Sequence, residues 1–366
     1  MKILTVLGTR PESIKLVPVI RELKLHKEVE SRVCSTGQHK ELLNQQLSVF
    51  DIGTDYNLSV MQPGQDLFSV TTKIMTGIQK ILQNYKPDVV IVQGDTTTAF
   101  VAALSAYYVK TAIAHVEAGL RTYDKLSPFP EEVNRVLIDH ISDILFAPTP
   151  RNADNLLREG ISSDKIIITG NTAIDSLLWM KDKPLSDSAL RELRNLALRD
   201  QFILVTGHRR ESFGKPFENI CAGIKAIAEN NDVQIVYSVH LNPNVQEPVM
   251  RILGNIQNVS LIPPVDYEAF VFLMSKCRFI LTDSGGISEE APSLHKPVLI
   301  MRDKTERQEA IVSGAARLVG SDPKAILREA TLLLQNKAEY AKMSSVINPF
   351  GDGRAAKKIV DSLLKM

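Results

Sequence analysis

The chain has 366 residues, 44% of them hydrophobic, which is too long for one ordinary core and comfortable for two domains. Its 43 basic and 42 acidic residues nearly cancel to a net charge of +1 and are mixed along the chain, which argues against a general nucleic-acid or membrane-surface binder. Cys34, Cys221 and Cys277 form no CxxC pair and lie in or beside apolar segments, the pattern of small buried side chains in a reducing compartment. No apolar stretch reaches membrane-spanning length, so a soluble cytoplasmic protein is expected.

Short apolar runs alternate with amphipathic segments of helical length. The first half predicts strands at 3–7, 31–35, 89–92, 112–116, 144–147 and 166–169. The second predicts them at 202–206, 234–238, 259–262, 279–282, 298–301 and 316–319. Near-continuous apolar strands separated by helices indicate parallel sheets covered on both faces. Six such units, a charged segment over 181–200 and six more predict two doubly wound Rossmann-like α/β domains, with a helix over 185–198 between them. A last amphipathic stretch, 354–364, follows the breaker run Asn348-Pro349-Phe350-Gly351-Asp352-Gly353 and fits either domain on pattern alone.

In open parallel sheets ligands bind beyond the carboxyl ends of the strands, and polar residues are dense there. Gly8-Thr9-Arg10-Pro11-Glu12-Ser13-Ile14-Lys15 follows the first strand; Arg10 and Lys15 suit a diphosphate, or simply solvate a helix start. In Gln93-Gly94-Asp95-Thr96-Thr97-Thr98, Asp95 is either a helix cap or a chemical group. Glu117, in His115-Val116-Glu117-Ala118-Gly119-Leu120-Arg121, closes an apolar strand and has little helical use. Glu131 and Glu132 follow the stiff Ser127-Pro128-Phe129-Pro130 loop, where they favour a helix dipole or join Asp95 and Glu117 as acid/base candidates.

In the second half, His208 sits between a strand-end glycine and the arginines Arg209 and Arg210, where it can donate to a developing phosphate charge. The run Thr282-Asp283-Ser284-Gly285-Gly286-Ile287-Ser288-Glu289-Glu290 ends a strand and opens a helix. Free N–H groups at such a start can hold a phosphate, the glycines permit close approach, and a carboxylate one turn on can accept from a ribose. An ordinary βα turn is the plainer alternative. His39, His115 and His240 also lie at predicted strand ends, whereas His26, His140 and His295 read as ordinary helix or loop residues. There is no HExxH, GxGxxG, Walker A or GxSxG motif, so neither a metal nor a nicotinamide cofactor is expected.

GTRPE with Lys15, QGDTTT, HVEAGLR, SPFPEE-x-NR, TGNT-x-ID, GHRRES, VHLNPNV, TDSGG-x-x-EEAPSL and NPFGDG occur in an order that resembles bacterial non-hydrolysing UDP-N-acetylglucosamine 2-epimerases, from Leu7 to about Gly353. The resemblance implies the glycosyltransferase-B architecture, two Rossmann-like domains facing a cleft. The first would comprise 1–170 with a returning C-terminal helix at 350–366, the second 171–349. It implies a UDP-sugar substrate, no cofactor and a homodimer that binds neither nucleic acid nor membrane. UDP would be eliminated to leave a 2-acetamidoglucal, then added back with C2 inverted, in a pathway to cell-surface polysaccharide.

By resemblance, Asp95, Glu117 and Glu131 are the acid/base candidates and His208 stabilises the leaving UDP. Arg10, Lys15, Arg135, Ser284, Gly285 and Gly286 would hold the substrate, Glu290 its ribose and Phe270 its uracil region. Gln38, Arg209 and His240 match positions of a regulatory UDP-sugar site, where Glu41 and Gly64 replace a frequent Gln and Arg. Gln93 stands where many members have His, and Lys304 and Gln308 alter an RDTTERPE run. A modified UDP-HexNAc as substrate and a glycosyltransferase of the same architecture are the alternatives.

Overall fold

The computed structural model describes residues 1–37, 47, 49–62 and 64–366. Gln38, His39 and Glu41 lie outside the described residues. The chain divides into two compact units, Met1–Ser176 with Phe350–Met366, and Leu177–Pro349.

The first unit contains strands β1 (Lys2–Leu7), β2 (Glu30–Ser35), β3 (Tyr56–Asn57), β4 (Val89–Gln93), β5 (Ala112–Val116), β6 (Ile144–Ala147) and β7 (Ile166–Ile168). They pair in parallel in the order β3-β2-β1-β4-β5-β6-β7. The second contains β8 (Phe202–Gly207), β9 (Gln234–Val239), β10 (Val259–Ile262), β11 (Ile280–Thr282), β12 (Val298–Ile300) and β13 (Ala316–Leu318). These form a parallel sheet in the order β10-β9-β8-β11-β12-β13. Strand order reverses between β1 and β4 in one sheet and between β8 and β11 in the other, which opens a crevice at each switch point.

Hydrophobic burial explains why these runs are strands. Ile3, Leu4, Val6 and Leu7 of β1 are all fully buried, as residues sandwiched between two helical layers must be. The helix Thr97–Tyr108 buries Ala99, Ala102, Ala103 and Ala106, and these small side chains let it pack between helices Leu67–Tyr85 and Glu131–Ile141. In the second unit Ile203, Val205, Tyr237, Phe279 and Leu281 share a core with the helices Lys215–Asn230 and Pro323–Gln335.

Three differences from the sequence expectation have local causes. Strand β3 is only two residues long, too short for an alternation signal, and is held by pairing with Cys34 and Ser35. The expected helix over 185–198 is shorter, Asp187–Leu193, because the chain beyond it bonds to one side chain instead: Gln234 accepts from the Arg199 N–H at 2.8 Å and donates to the Ala197 carbonyl at 2.9 Å. Strands β4, β8 and β9 extend one residue further, since the backbone ladder continues beneath a polar side chain or a glycine, as in the Gln93–Val116 and Gly207–Val239 pairs.

The C-terminal helix Ala355–Leu363 packs on the helix Arg10–Leu23 and buries Ile359, Val360 and Leu363. Asp175 accepts from the N–H groups of Ala355 (3.2 Å) and Ala356 (2.9 Å), two of the donors a helix start leaves unpaired. Burial raises the Asp175 carboxyl to about 6, against the pull of those hydrogen bonds.

Candidate active site

In the first unit the turns after β1, β4 and β5 meet. Thr9 caps the helix Arg10–Leu23 in a reciprocal capping box with Glu12. The Glu12 carboxylate accepts from the N–H groups of Gly8 (3.0 Å) and Thr9 (2.7 Å) and from the hydroxyl of Thr96 (2.7 Å). It therefore ties the β1 turn to the β4 turn. Burial raises its pKa despite those donors. Neither this carboxylate nor the role of Thr96 was assigned from sequence, although the capping-box spacing Thr9-x-x-Glu12 is a visible signal.

Asp95 does not cap the following helix. Thr96 does, accepting from the Ala99 N–H at 3.0 Å. The Asp95 side chain is thereby released to pair with Arg135, while Asn134 donates to the Asp95 carbonyl at 2.9 Å. Arg135 also contacts Glu132 at 3.2 Å, and Glu132 accepts from the N–H groups of Thr122 and Tyr123. Arg135, expected to hold substrate, thus buttresses Asp95.

Glu117 begins the turn after β5 in the left-handed region, φ +69°, a conformation that costs a non-glycine residue on the order of 1 kcal/mol or more. Its carboxylate pairs with Lys15 and accepts from the Gln93 side-chain amide. Lys15, expected to hold phosphate, stands against this carboxylate. Gly94 (φ +69°) brings the β4 turn against this group, since a Cβ there would lie 3.4 Å from Glu117 Oε2. Asp95 and Glu117 thus stand on neighbouring strand ends. Glu131 opens the helix that carries Asn134 and Arg135, half-buried, and no side-chain hydrogen bond joins it to either carboxylate among the described residues. Arg10 is half-buried at the start of its helix, where its carbonyl accepts from the Ser13 hydroxyl.

His115 lies at the end of β5, as expected, and is fully buried beneath these turns. Its Nδ1 meets Asp139 at 2.6 Å and its Nε2 meets the Gly94 carbonyl at 2.8 Å. Asp139 also accepts from Arg121 (2.7 Å) and the Gly119 N–H (3.2 Å), and Arg121 forks onto Glu159 at 2.7 and 2.6 Å.

In the second unit His208 follows β8, partly exposed, and stacks on His240 with ring centroids 5.2 Å apart. Its Nδ1 is 3.6 Å from Oδ1 of buried Asp283, whose other oxygen accepts from the N–H groups of His208 (2.7 Å) and Arg209 (2.8 Å). Burial lowers the His208 pKa; Asp283 opposes the shift, and His240 and Arg209 add to it. Asp283 belongs to the TDSGG run yet received no role from sequence.

Ser284 is the N-cap of the helix Gly285–Glu290 and donates its N–H to the Thr282 hydroxyl at 3.0 Å. Arg307, bonded to Glu289 at 2.8 Å, packs so closely on Gly285 that a Cβ there would meet its Nε at 3.0 Å. Glu290 is buried and accepts from the Tyr267 hydroxyl at 3.2 Å. Phe270 is half-buried three positions further along the Tyr267 helix, Tyr267–Lys276. His208, Ser284, Gly285 and Gly286 therefore stand at the β8 and β11 ends that flank the switch point.

Comparisons with known proteins agree on one family. The UDP-N-acetylglucosamine 2-epimerase family model matches residues 21–364. The UDP-N-acetylglucosamine 2-epimerase of Escherichia coli K12 is 52% identical over 369 residues, 99% of this chain and 98% of that protein. The crystal structure of the Neisseria meningitidis UDP-GlcNAc 2-epimerase bound to UDP-GlcNAc is 47% identical, with a TM-score of 0.91 and complete coverage of both chains. A Rickettsia africae glycosyltransferase, 15% identical with a TM-score of 0.66 over 100% of this chain and 98% of that one, shares the fold alone. The chain belongs to the UDP-N-acetylglucosamine 2-epimerase family.

Proposed function

We propose that the chain interconverts UDP-GlcNAc and UDP-ManNAc without hydrolysis, by eliminating UDP to leave 2-acetamidoglucal and adding it back to the opposite face. The observation that carries this reading is the placement of Asp95 and Glu117 on the neighbouring ends of β4 and β5, beside the first switch point, each against a cation. The C2 proton is adjacent to an acetamido-bearing carbon and not to a carbonyl, so simple deprotonation gives no stabilised carbanion. Departure of UDP must accompany or precede its loss, which requires acid/base groups and a separate stabiliser of the diphosphate. Asp95, Glu117 and Glu131 are assigned the proton transfers. His208, Arg10, Ser284, Gly285 and Gly286 are assigned the diphosphate, Glu290 the ribose and Phe270 the uracil.

Lys15 and Arg135 are assigned to orienting Glu117 and Asp95 through their ion pairs. Arg209 and His240 are assigned to a regulatory UDP-sugar site, and the family resemblance supports a cytoplasmic homodimer. Incubation with UDP-GlcNAc in D2O, followed by proton NMR, tests the reaction. Both epimers should acquire deuterium at C2 without an acceptor. Full retention of the original proton in UDP-ManNAc would eliminate the mechanism, and transfer requiring an acceptor would make the chain a glycosyltransferase.

A further inference from the structure

We propose that His115 is a positioning residue, held as a doubly protonated imidazolium, which fixes the turn carrying Asp95 through the Gly94 carbonyl. The proposal rests on the acid/base role assigned to Asp95 and Glu117. Both ring nitrogens face acceptors. The Gly94 carbonyl, 2.8 Å from Nε2, can only accept, so Nε2 carries a proton. Asp139, 2.6 Å from Nδ1, also receives Arg121 at 2.7 Å and the Gly119 N–H at 3.2 Å. A carboxylate already taking two donors, one of them a guanidinium, is ionised and can only accept from the ring, so Nδ1 carries a proton too.

The charges around the ring come from every side of this site: Asp139 on the helix Glu131–Ile141, Arg121 on the loop after β5, and Glu159 beyond the helix Pro150–Arg158. Two cations and two anions balance, which is what a fully buried imidazolium requires. Burial alone would raise the Asp139 carboxyl; His115 first, and then Arg121, more than offset it and hold it below its ordinary value.

The arrangement grips both turns that carry the carboxylates. His115 holds the carbonyl before Asp95, and Asp139 holds the N–H of Gly119, two residues after Glu117. Gly119 has φ +82°, and a Cβ there would overlap the Asn152 carbonyl, so only glycine fits at this point of the turn. The Gly94 N–H still donates to the Val116 carbonyl at 3.0 Å, so the His115 contact fixes the other side of the same glycine, the carbonyl that leads into Asp95.

The test is nitrogen NMR of the 15N-histidine-labelled full chain, with His115 identified through bonds to its own amide. At neutral pH both ring nitrogens should carry protons, as the two acceptors they face require. One unprotonated nitrogen near neutral pH overturns the assignment, and this arm needs no variant. Kinetically, folded His115→Gln should lose about 10²-fold in kcat with KM changed less than about threefold, since misplacement by about 1 Å costs that much. In an Asp95→Asn background the same change should cost nothing further. An unchanged kcat, or losses that multiply, would overturn action through Asp95. If Asp95→Asn itself leaves turnover intact, the acid/base assignment has failed, and the nitrogen signals still decide the protonation state.

Discussion

Lys15 and Glu117 form an ion pair across 102 positions of sequence, joining the first helix of the chain to the end of β5. The pair sets a second role for Lys15, holding the carboxylate, beside the diphosphate role that the sequence suggests. If its principal partner is the carboxylate, Lys15→Met should lower kcat by about 10²-fold, the scale of an acid/base group put out of action, with UDP affinity changed less than about threefold. Calorimetry with UDP beside steady-state kinetics decides between the roles; a large loss of UDP binding returns Lys15 to the phosphates.

Asp95→Asn, Glu117→Gln and Glu131→Gln should each lower turnover by roughly 10²-fold or more. Glu117→Gln breaks the ion pair with Lys15, and Asp95→Asn breaks that with Arg135, so both should also shift thermal stability measurably. Glu131→Gln should not, because no side-chain hydrogen bond or ion pair holds Glu131 among the described residues. A near-normal kcat in any one of the three removes that residue from the chemistry.

His208 should take up a proton when UDP binds. Burial, outweighing Asp283, keeps the free ring's pKa below its ordinary value, so the ring is largely neutral at neutral pH. A dianionic diphosphate beside it favours the imidazolium and raises that pKa. UDP affinity should therefore strengthen as pH falls toward about 6. Calorimetry in buffers of different ionisation heat should register proton uptake, and His208→Asn should reduce it. Unchanged UDP affinity and uptake in that variant would take His208 off the diphosphate.

Asp175 supplies a stability signature. Its folded-state value, about 6, lies above the ordinary 3.8, so the folded protein binds the proton more tightly than the unfolded chain does. Stability from this group is greatest below pH 4 and is lost as pH rises through about 6. The change is on the order of 3 kcal/mol at most. Urea unfolding of the wild type and Asp175→Asn should show the wild type losing ground to the variant between about pH 4 and pH 7. A parallel pH dependence of the two would contradict it.

The strands and their parallel, doubly wound packing followed from physical signals that are local in sequence. Fully buried parallel strands such as β1 are continuous apolar runs, and the turns after them concentrate glycine and charge. What stayed hidden were pairings across tens of residues. Nothing in QGDTTT announces that Thr96 caps its helix and frees Asp95 for Arg135, 40 positions away. His115 resembles any polar residue near a strand end until Asp139 comes beneath it, 24 positions on. The diphosphate-binding candidates Ser284, Gly285 and Gly286 were legible because a strand, a glycine turn and a helix start are contiguous. Asp283, the carboxylate holding His208, needs a partner from the β8 end, 75 positions earlier.

The bond between Asp175 and the N–H groups of Ala355 and Ala356 has a consequence for biosynthesis. The first unit starts to emerge from the ribosome long before its last helix does, because residues 177–349 must be translated in between. At roughly 5–20 residues per second that interval is on the order of ten seconds or more. Throughout it, the face of the helix Arg10–Leu23 that Ile359, Val360 and Leu363 will cover is bare, and Asp175 has no amide to receive. A released chain truncated short of residue 355 should therefore carry a complete second unit and a first one with the apolar face of its first helix uncovered.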